Sequence, residues 1–408
     1  MRTHCLSSIL FVGCLLGAPA VGQVRPGIEV ALTDSAQLIA GRRIGLLTNH
    51  TGVDRQGRRD VDLLIANGYQ PRALFSPEHG FRGTEDRPGL PDAVDSATSL
   101  PIYSLYGGAS ERLESALDSV DVVLVDLQDI GARYYTYVST AVILMRDAAR
   151  HARPVIVLDR PNPLGGDVVQ GNVRETAAPF ETFVGFLPIP MRHGMTLGEL
   201  LRLANDVLGL RAQLIVVPAA GWRRGDYGDD TGLPWVRPSP NMPDLESAIH
   251  YPGTCLFEGT NLSVGRGTPF AFQAVGAPWL DAGAVLRRLG AGSGERDALA
   301  GVEVSATTYT PRAPTDGKYD GVELAGIRLR VTDRRRYDPP RVAVALLAAI
   351  RAVHSDSLRF RSDGFDRLAG GPALREALVT GRAPDVIWRS WQRGLERFRR
   401  ERAKYLLY

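Results

Sequence analysis

Glu78 and His79 stand side by side in the run Ser76-Pro77-Glu78-His79-Gly80-Phe81-Arg82-Gly83. A carboxylic acid backed by an imidazole, with glycines that allow close approach, suits proton transfer to a leaving group. A turn with a helix-capping role is the competing reading. Two further carboxylates, Asp126 and Asp129, lie in Asp126-Leu127-Gln128-Asp129; Asp126 also fits a turn cap or an arginine partner. Just beyond, Arg133, Tyr134, Tyr135 and Tyr137 combine a cation with aromatic faces. Such rings stack on the apolar side of a sugar, and arginine holds an anionic substituent. Burial of two of the three tyrosines in a core is the alternative. Glu258, Asn261 and Arg266 form a second polar cluster on a Gly-rich stretch, without the following helix that a phosphate cradle needs. His193 precedes a helical pattern with Thr196 placed as its N-cap, which suits a structural histidine as well as a site.

These groups need a scaffold, and the first half of the chain repeats a strand-then-helix rhythm. Short β-branched runs occur at 43–48, 72–75, 102–105, 122–127, 155–158 and 214–217, with helical patterns at 61–67, 111–117, 140–151 and 197–207. Near-continuous apolar strands alternating with helices predict a parallel sheet covered on both faces, an α/β fold. In such sheets the ligand lies beyond the carboxyl ends of the strands. Polar segments follow four of these strands: Thr48-Asn49-His50-Thr51-Gly52, the Glu78 turn, the Asp126–Tyr137 segment, and Asp159-Arg160-Pro161-Asn162. From 218 to about 278 periodicity breaks down in a Pro- and Gly-rich stretch whose aromatics point to ordered loops. Alternating strands at 302–308 and 322–332, then helices at 342–354, 373–379 and 384–399, read as a smaller α+β domain. The division is 1–22 as an export signal, 25–275 as the sheet domain with its long loops, and 276–408 as the second domain.

Composition narrows the chemistry. The 48 basic and 45 acidic residues nearly balance, so nothing marks a nucleic-acid partner. Lys318 and Lys404 are the only lysines, which removes a GK[ST] phosphate loop and leaves Schiff-base catalysis two candidates. GxGxxG does not follow the first strand, and GxSxG and HExxH are absent. Neither a metal nor an organic cofactor is expected; a metal site built from Glu78, His79 and Asp126 would lack diagnostic spacing.

The N-terminus reads as a cleavable signal: Arg2, an apolar stretch at 8–16 too short to span a bilayer, then Ala18-Pro19-Ala20 or Ala20-Val21-Gly22 as the cut site. A secreted or periplasmic protein without a membrane anchor is expected. Cleavage removes Cys5 and Cys14, leaving Cys255 with no internal disulfide partner.

Seven segments, LLTNHTG, LFSPEHGFRG, VDLQDIGARYYTY, LDRPNPLGG, IPMRHGMTLGEL, PSPNMP and FEGTNLSVGRGT, resemble in the same order the exo-β-N-acetylmuramidases of the NamZ type. The resemblance runs from about Gly27 to the C-terminal tyrosine. It implies a Rossmann-like domain and a smaller C-terminal domain with the active site in the cleft between them, and no dinucleotide. It also implies a glycosidase that removes non-reducing terminal N-acetylmuramic acid (MurNAc) from small saccharides such as MurNAc–GlcNAc. Glu78 is then the catalytic acid. Asp126 in the DLQD segment is the choice for the second group, with His79 and Glu258 as competitors. Substrate contacts are expected from Asn49, Asp129, Arg133, Tyr134, Tyr137, Arg160, Asn162, His193, Glu258, Asn261 and Arg266. Arg133 and Arg266, with Arg160 behind them, are candidates for the lactyl carboxylate of MurNAc. The alternatives are a glycosidase for another amino sugar and a non-catalytic periplasmic muropeptide-binding protein.

Overall fold

A computed structural model describes residues 23–85, 89–107, 112–176, 182–291 and 297–408. The proposed signal, with Cys5 and Cys14, lies outside the described residues. Seven strands form the main sheet: β1 (Arg43–Thr48), β2 (Gln70–Ser76), β3 (Ala93–Val94), β4 (Pro101–Ser104), β5 (Val122–Asp126), β6 (Val155–Leu158) and β9 (Leu214–Val217). Their order is β3-β4-β2-β1-β5-β6-β9, parallel except for the β3 edge.

The period-2 alternation of strand side chains explains why the strands are apolar throughout. Val122 and Leu124 of β5 join Ile44, Leu46, Ile156 and Leu158 against helices α1 (Gly27–Thr33) and α2 (Asp60–Ala66). Val123 and Val125 point the other way with Leu47, Val155 and Val157, toward α3 (Leu113–Asp118), α4 (Tyr137–Arg150) and α5 (Leu197–Val207). Thr196 caps α5: its hydroxyl accepts from the Glu199 backbone while the Glu199 carboxylate accepts from Thr196 N. The chain runs outward from β1 to β2 and β4, then returns to β5 on the other side of β1. This reversal makes β1/β5 the switch point of the sheet, where the loops beyond the strand ends part.

The second half contributes a three-stranded antiparallel sheet, β10 (Ala274–Ala277), β12 (Leu324–Val331) and β11 (Val302–Tyr309), in that order. Helix α6 (Leu245–Thr254) lies inside the stretch that sequence periodicity leaves irregular. Pro252 within the helix masks the pattern, and Gly253 lets α6 approach the helix Pro339–Val353; a Cβ there would come within 2.1 Å of the Pro339 carbonyl oxygen. A hairpin of β7 (Gln170–Val173) and β8 (Pro190–Arg192) was also hidden. The long helix Pro384–Arg402 carries the C-terminus back onto the first sheet domain, where Tyr408 donates to Asp159 (2.8 Å) and packs edge-on against Trp222. One continuous core therefore joins the two halves. No helix among the described residues is long and apolar enough to cross a membrane.

Candidate active site in the cleft

The turn after β2 separates Glu78 from its neighbour. His79 and Gly80 both have left-handed backbone (φ 70° and 71°), and Gly80 N bonds back to the Pro77 carbonyl (3.1 Å). For histidine this conformation costs about 1–2 kcal/mol, and such strain concentrates at functional sites. The reversal sends the His79 ring to the Glu85 carbonyl (Nδ1 to O, 2.8 Å), in the wall of a separate cavity with Phe81 and Arg82. Glu78 faces the opposite way, into a cleft of about 520 Å³. Its Oε2 accepts a hydrogen bond from the Thr136 hydroxyl at the start of α4.

The far wall comes from the second half of the chain. The short 3₁₀ helix Cys255–Gly259 presents Glu258, whose Oε1 accepts from Arg266 Nε at 2.6 Å. Arg266 lies over the Phe272 ring at 5.3 Å and donates through Nη1 to Thr315 (2.9 Å). Lys318 and Arg361 brace this loop from behind: both donate to the Glu258 carbonyl, and Lys318 also reaches the Leu262 carbonyl at 2.8 Å. Burial brings the Lys318 ammonium down to about 8. The lateral walls are aromatic, with Tyr134, Tyr251, Tyr106 and Phe183. Tyr134 and Tyr251 meet edge-to-face at 5.9 Å, and burial pushes both phenols above their ordinary range, which keeps them neutral. The result is a sugar-sized cavity with two carboxyl groups, one guanidinium and ring faces.

The structure thus brings Glu78, Tyr134, Glu258 and Arg266 together in the cleft wall. It takes Asp126 elsewhere. At the end of β5 Asp126 is fully buried, paired to Arg160 through Nε–Oδ1 (2.5 Å) and Nη2–Oδ2 (3.0 Å), and Arg160 also donates to the Val53 carbonyl. A second buried carboxyl, Asp60, held by the Thr48 hydroxyl, lies beside the pair. Burial and the neighbouring Asp126 push Asp60 well above the carboxylate range, and burial also raises Asp126. The structure places Asp126 and Arg160 in a buried ion pair beneath the strand ends, away from the Glu78 cleft, with Arg160 reaching the wall of a second cavity. This small cavity, about 180 Å³, has Asp54 and Asp229 as its wall carboxylates. Both are tied to arginines, Arg58 and Arg334, so neither is placed as a proton donor.

Arg133 is also held inside the fold. Its guanidinium donates to the carbonyls of Asn172 (2.7 Å), Ile189 (3.0 Å) and Leu368 (2.8 Å), stitching the β7–β8 hairpin to the C-terminal half. Burial lowers it to about 10. Asn49 and Tyr137 form a layer behind the cleft: Asn49 Nδ2 donates to the Tyr137 hydroxyl (2.7 Å), which donates to the Pro238 carbonyl (2.5 Å). Asp129 accepts from Gly131 N, and His193 Nε2 lies 3.4 Å from its Oδ2. His193 Nδ1 accepts from Met195 N, so the imidazole proton belongs on Nε2, facing Asp129. Asn162 closes a turn onto Leu164 N and reaches the Met195 carbonyl. Asn261 does the same for the Ser357–Arg359 segment. These four brace loops and do not line the cleft. Residues that sequence reasoning missed are Thr136, inside the ARYYTY motif, and Tyr251, Lys318, Thr315 and Arg361, which no local pattern marks. Cys255 lines the cleft with its Sγ 3.5 Å from Glu258 Oε2, and burial raises its thiol well above the ordinary range. Among the described residues no group of three or more His, Cys, Asp or Glu is placed to hold a metal ion.

The family model described as exo-β-N-acetylmuramidase NamZ, N-terminal, matches residues 44–246, and its C-terminal counterpart matches 249–408. The chain is 38% identical to the peptidoglycan β-N-acetylmuramidase NamZ of Bacillus subtilis (strain 168), over 95% of this chain and 92% of that protein. Two solved structures of DUF1343 family proteins from Bacteroides fragilis NCTC 9343 share the fold. One is 32% identical with a TM-score of 0.86, covering 95% of this chain and 99% of its own. The other is 31% identical with a TM-score of 0.75, covering 94% and 99%.

Proposed function

The chain belongs to the NamZ family of exo-β-N-acetylmuramidases, and on that premise we propose that it cleaves its substrate in the cleft between Glu78 and Glu258. It is a glycosidase of peptidoglycan, removing terminal MurNAc from fragments such as MurNAc–GlcNAc. The observation that carries the site assignment is that Glu78 and the Glu258–Arg266 pair line one sugar-sized cavity with aromatic walls.

Glycoside hydrolysis calls for an acid beneath the leaving oxygen and a second carboxylate or activated water across the ring. Glu78 is the acid: Thr136 orients Oε2, and Oε1 is unoccupied by any described residue. Glu258 is the second carboxylate. Arg266 fixes its Oε1, while Oε2 accepts from the weak thiol donor of Cys255 and keeps a lone pair to orient water. Arg266 also suits the lactyl carboxylate of MurNAc, since it is part-exposed in the cleft wall whereas Arg133 and Arg160 are buried. Tyr106 and Phe183, the part-exposed aromatic residues of the wall, offer ring surface to the sugar, while Tyr134 and Tyr251 are buried. Incubating the purified protein with MurNAc–GlcNAc tests this reading; free MurNAc is expected, and recovery of intact disaccharide would refute it.

We also propose that residues 1–22 direct export from the cytoplasm, which fits a substrate of the cell wall. The mature N-terminus, read by mass spectrometry of the protein secreted by its host, is expected between residues 20 and 24; retention of Met1 would refute export by cleavage.

A further inference from the structure

A second, open groove of about 480 Å³ runs between the end of β7 and the helices Ala373–Val379 and Pro384–Arg402. Arg174, Arg382, Arg397 and Trp391 stand in its wall. Arg174 is committed, donating to the carbonyls of Glu175, Phe186 and Leu187. Arg382 and Arg397 are exposed, and among the described residues neither guanidinium has a bonding partner. This is unlike most arginines of the chain: Arg389, on the same helix as Arg397, is paired with Asp385, and Arg375 nearby is paired with Asp366. The wall contains one acid, Glu175, whose carboxyl lies against Gly371. Two unpaired guanidinium groups beside an indole fit a ligand that carries carboxylates on an otherwise weakly charged frame.

The groove lies within reach of the cleft. Leu368 lines the cleft, and Ala373 and Leu374 line the groove on the same stretch of chain. Residues 368 and 373 can be no more than about 18 Å apart even if the chain between them were extended. A peptidoglycan fragment longer than a disaccharide continues past the scissile bond into sugars whose stem peptides end in carboxylates. We propose that this groove holds those peptide carboxylates on the leaving-group side, with Arg382 and Arg397 as the anion partners and Trp391 as the apolar floor. The assignment rests on the muramidase reading of the cleft.

The test compares MurNAc–GlcNAc with MurNAc–GlcNAc–MurNAc-peptide, using full-length wild-type protein and the double variant Arg382→Glu/Arg397→Glu. KM for the peptide-bearing fragment should rise roughly tenfold in the variant, the scale of two partly exposed ion pairs. Its kcat should hold, and KM for the disaccharide should stay within about twofold. Amidating the peptide carboxylates should remove the difference between the two proteins. An equal change for both substrates, or no change for either, overturns the proposal, the second result pointing to a different partner for the arginines. If wild-type protein leaves MurNAc–GlcNAc intact, the muramidase reading fails by itself. Calorimetric binding of the peptide-bearing fragment to both proteins then still decides the groove: equal affinity refutes it.

Discussion

Two arginine–carboxylate pairs sit within the same fold, Arg266–Glu258 in the cleft and Arg160–Asp126 beneath the ends of the strands. Both have short, direct contacts, 2.6 Å and 2.5 Å. They differ in what surrounds them. The side chains of Arg266 and Glu258 keep 18% and 19% of their surface open, whereas Arg160 and Asp126 keep 5% and 0%. An open pair retains edges that can meet a substrate, and water softens the cost of rearranging it. A sealed pair has its bonds spent inside the fold, and removing one partner strands the other in a low-dielectric interior. The lesson is that a carboxylate at a strand tip is chemically available only when its partners leave it a face.

Substitutions at the two pairs should separate activity from stability. Glu78→Gln, across the cleft from the open pair, should have the largest catalytic effect, a ~10²–10⁴ loss of kcat with little change in thermal stability. Asp126→Ala should do the reverse: unfolding free energy falls by about 3–5 kcal/mol because Arg160 is left buried and unpaired. The fraction that remains folded should keep the wild-type kcat. A stable but inactive Asp126→Ala protein would return Asp126 to the catalytic set. Arg266→Ala should cost MurNAc substrates ~2–5 kcal/mol in kcat/KM relative to analogues lacking the lactyl group. An unchanged ratio would remove Arg266 from substrate recognition.

Smaller effects sharpen the same contrast. Asp159 is buried, and burial raises its carboxyl to about 6 despite donors from Thr196, Gly198 and Tyr408. A folded-state value above the ordinary 3.8 means that the folded protein binds this proton more tightly than the unfolded chain. The stabilisation is therefore complete below about pH 4 and is lost as the pH rises through about 6. The difference in Tm between wild type and Asp159→Asn should shrink over that window, and a constant difference would contradict the assignment. Cys255→Ser should change least: the thiol is buried and held neutral, so activity within about twofold of wild type is expected. An inactive, folded Cys255→Ser protein would require a nucleophilic role for the sulfur.

Much of the scaffold could be read from the chain, for physical reasons that also set the limit. β1, β6 and β9 begin and end where the apolar runs do; β6 is buried along its whole length and β1 beyond Arg43, whereas β9, at the sheet edge, is apolar although Ile215 is exposed. Helix α6 is masked because Pro252 and Gly253 imitate a loop, although Gly253 serves a close helix contact and the Pro252 carbonyl accepts from the Tyr134 hydroxyl. Glu78 and Tyr134 line the cleft from segments that follow strand tips. What could not be read is pairing at a distance. Arg160 meets Asp126 across 34 residues, and Arg133 meets Leu368 across 235, so each looked available when its local neighbours alone were considered. His79 illustrates the same limit over one residue: a left-handed backbone angle turns it away from Glu78.

The central claim is that Glu78 donates the proton to the departing sugar, and the leaving group tests it most directly. Glu78→Gln should be assayed on MurNAc–GlcNAc and on 4-nitrophenyl MurNAc, whose nitrophenolate barely needs protonation. The account predicts a ~10²–10⁴ loss on the disaccharide and a far smaller loss on the nitrophenyl glycoside. Equal losses on both substrates, or wild-type turnover of the disaccharide by the folded variant, would contradict it.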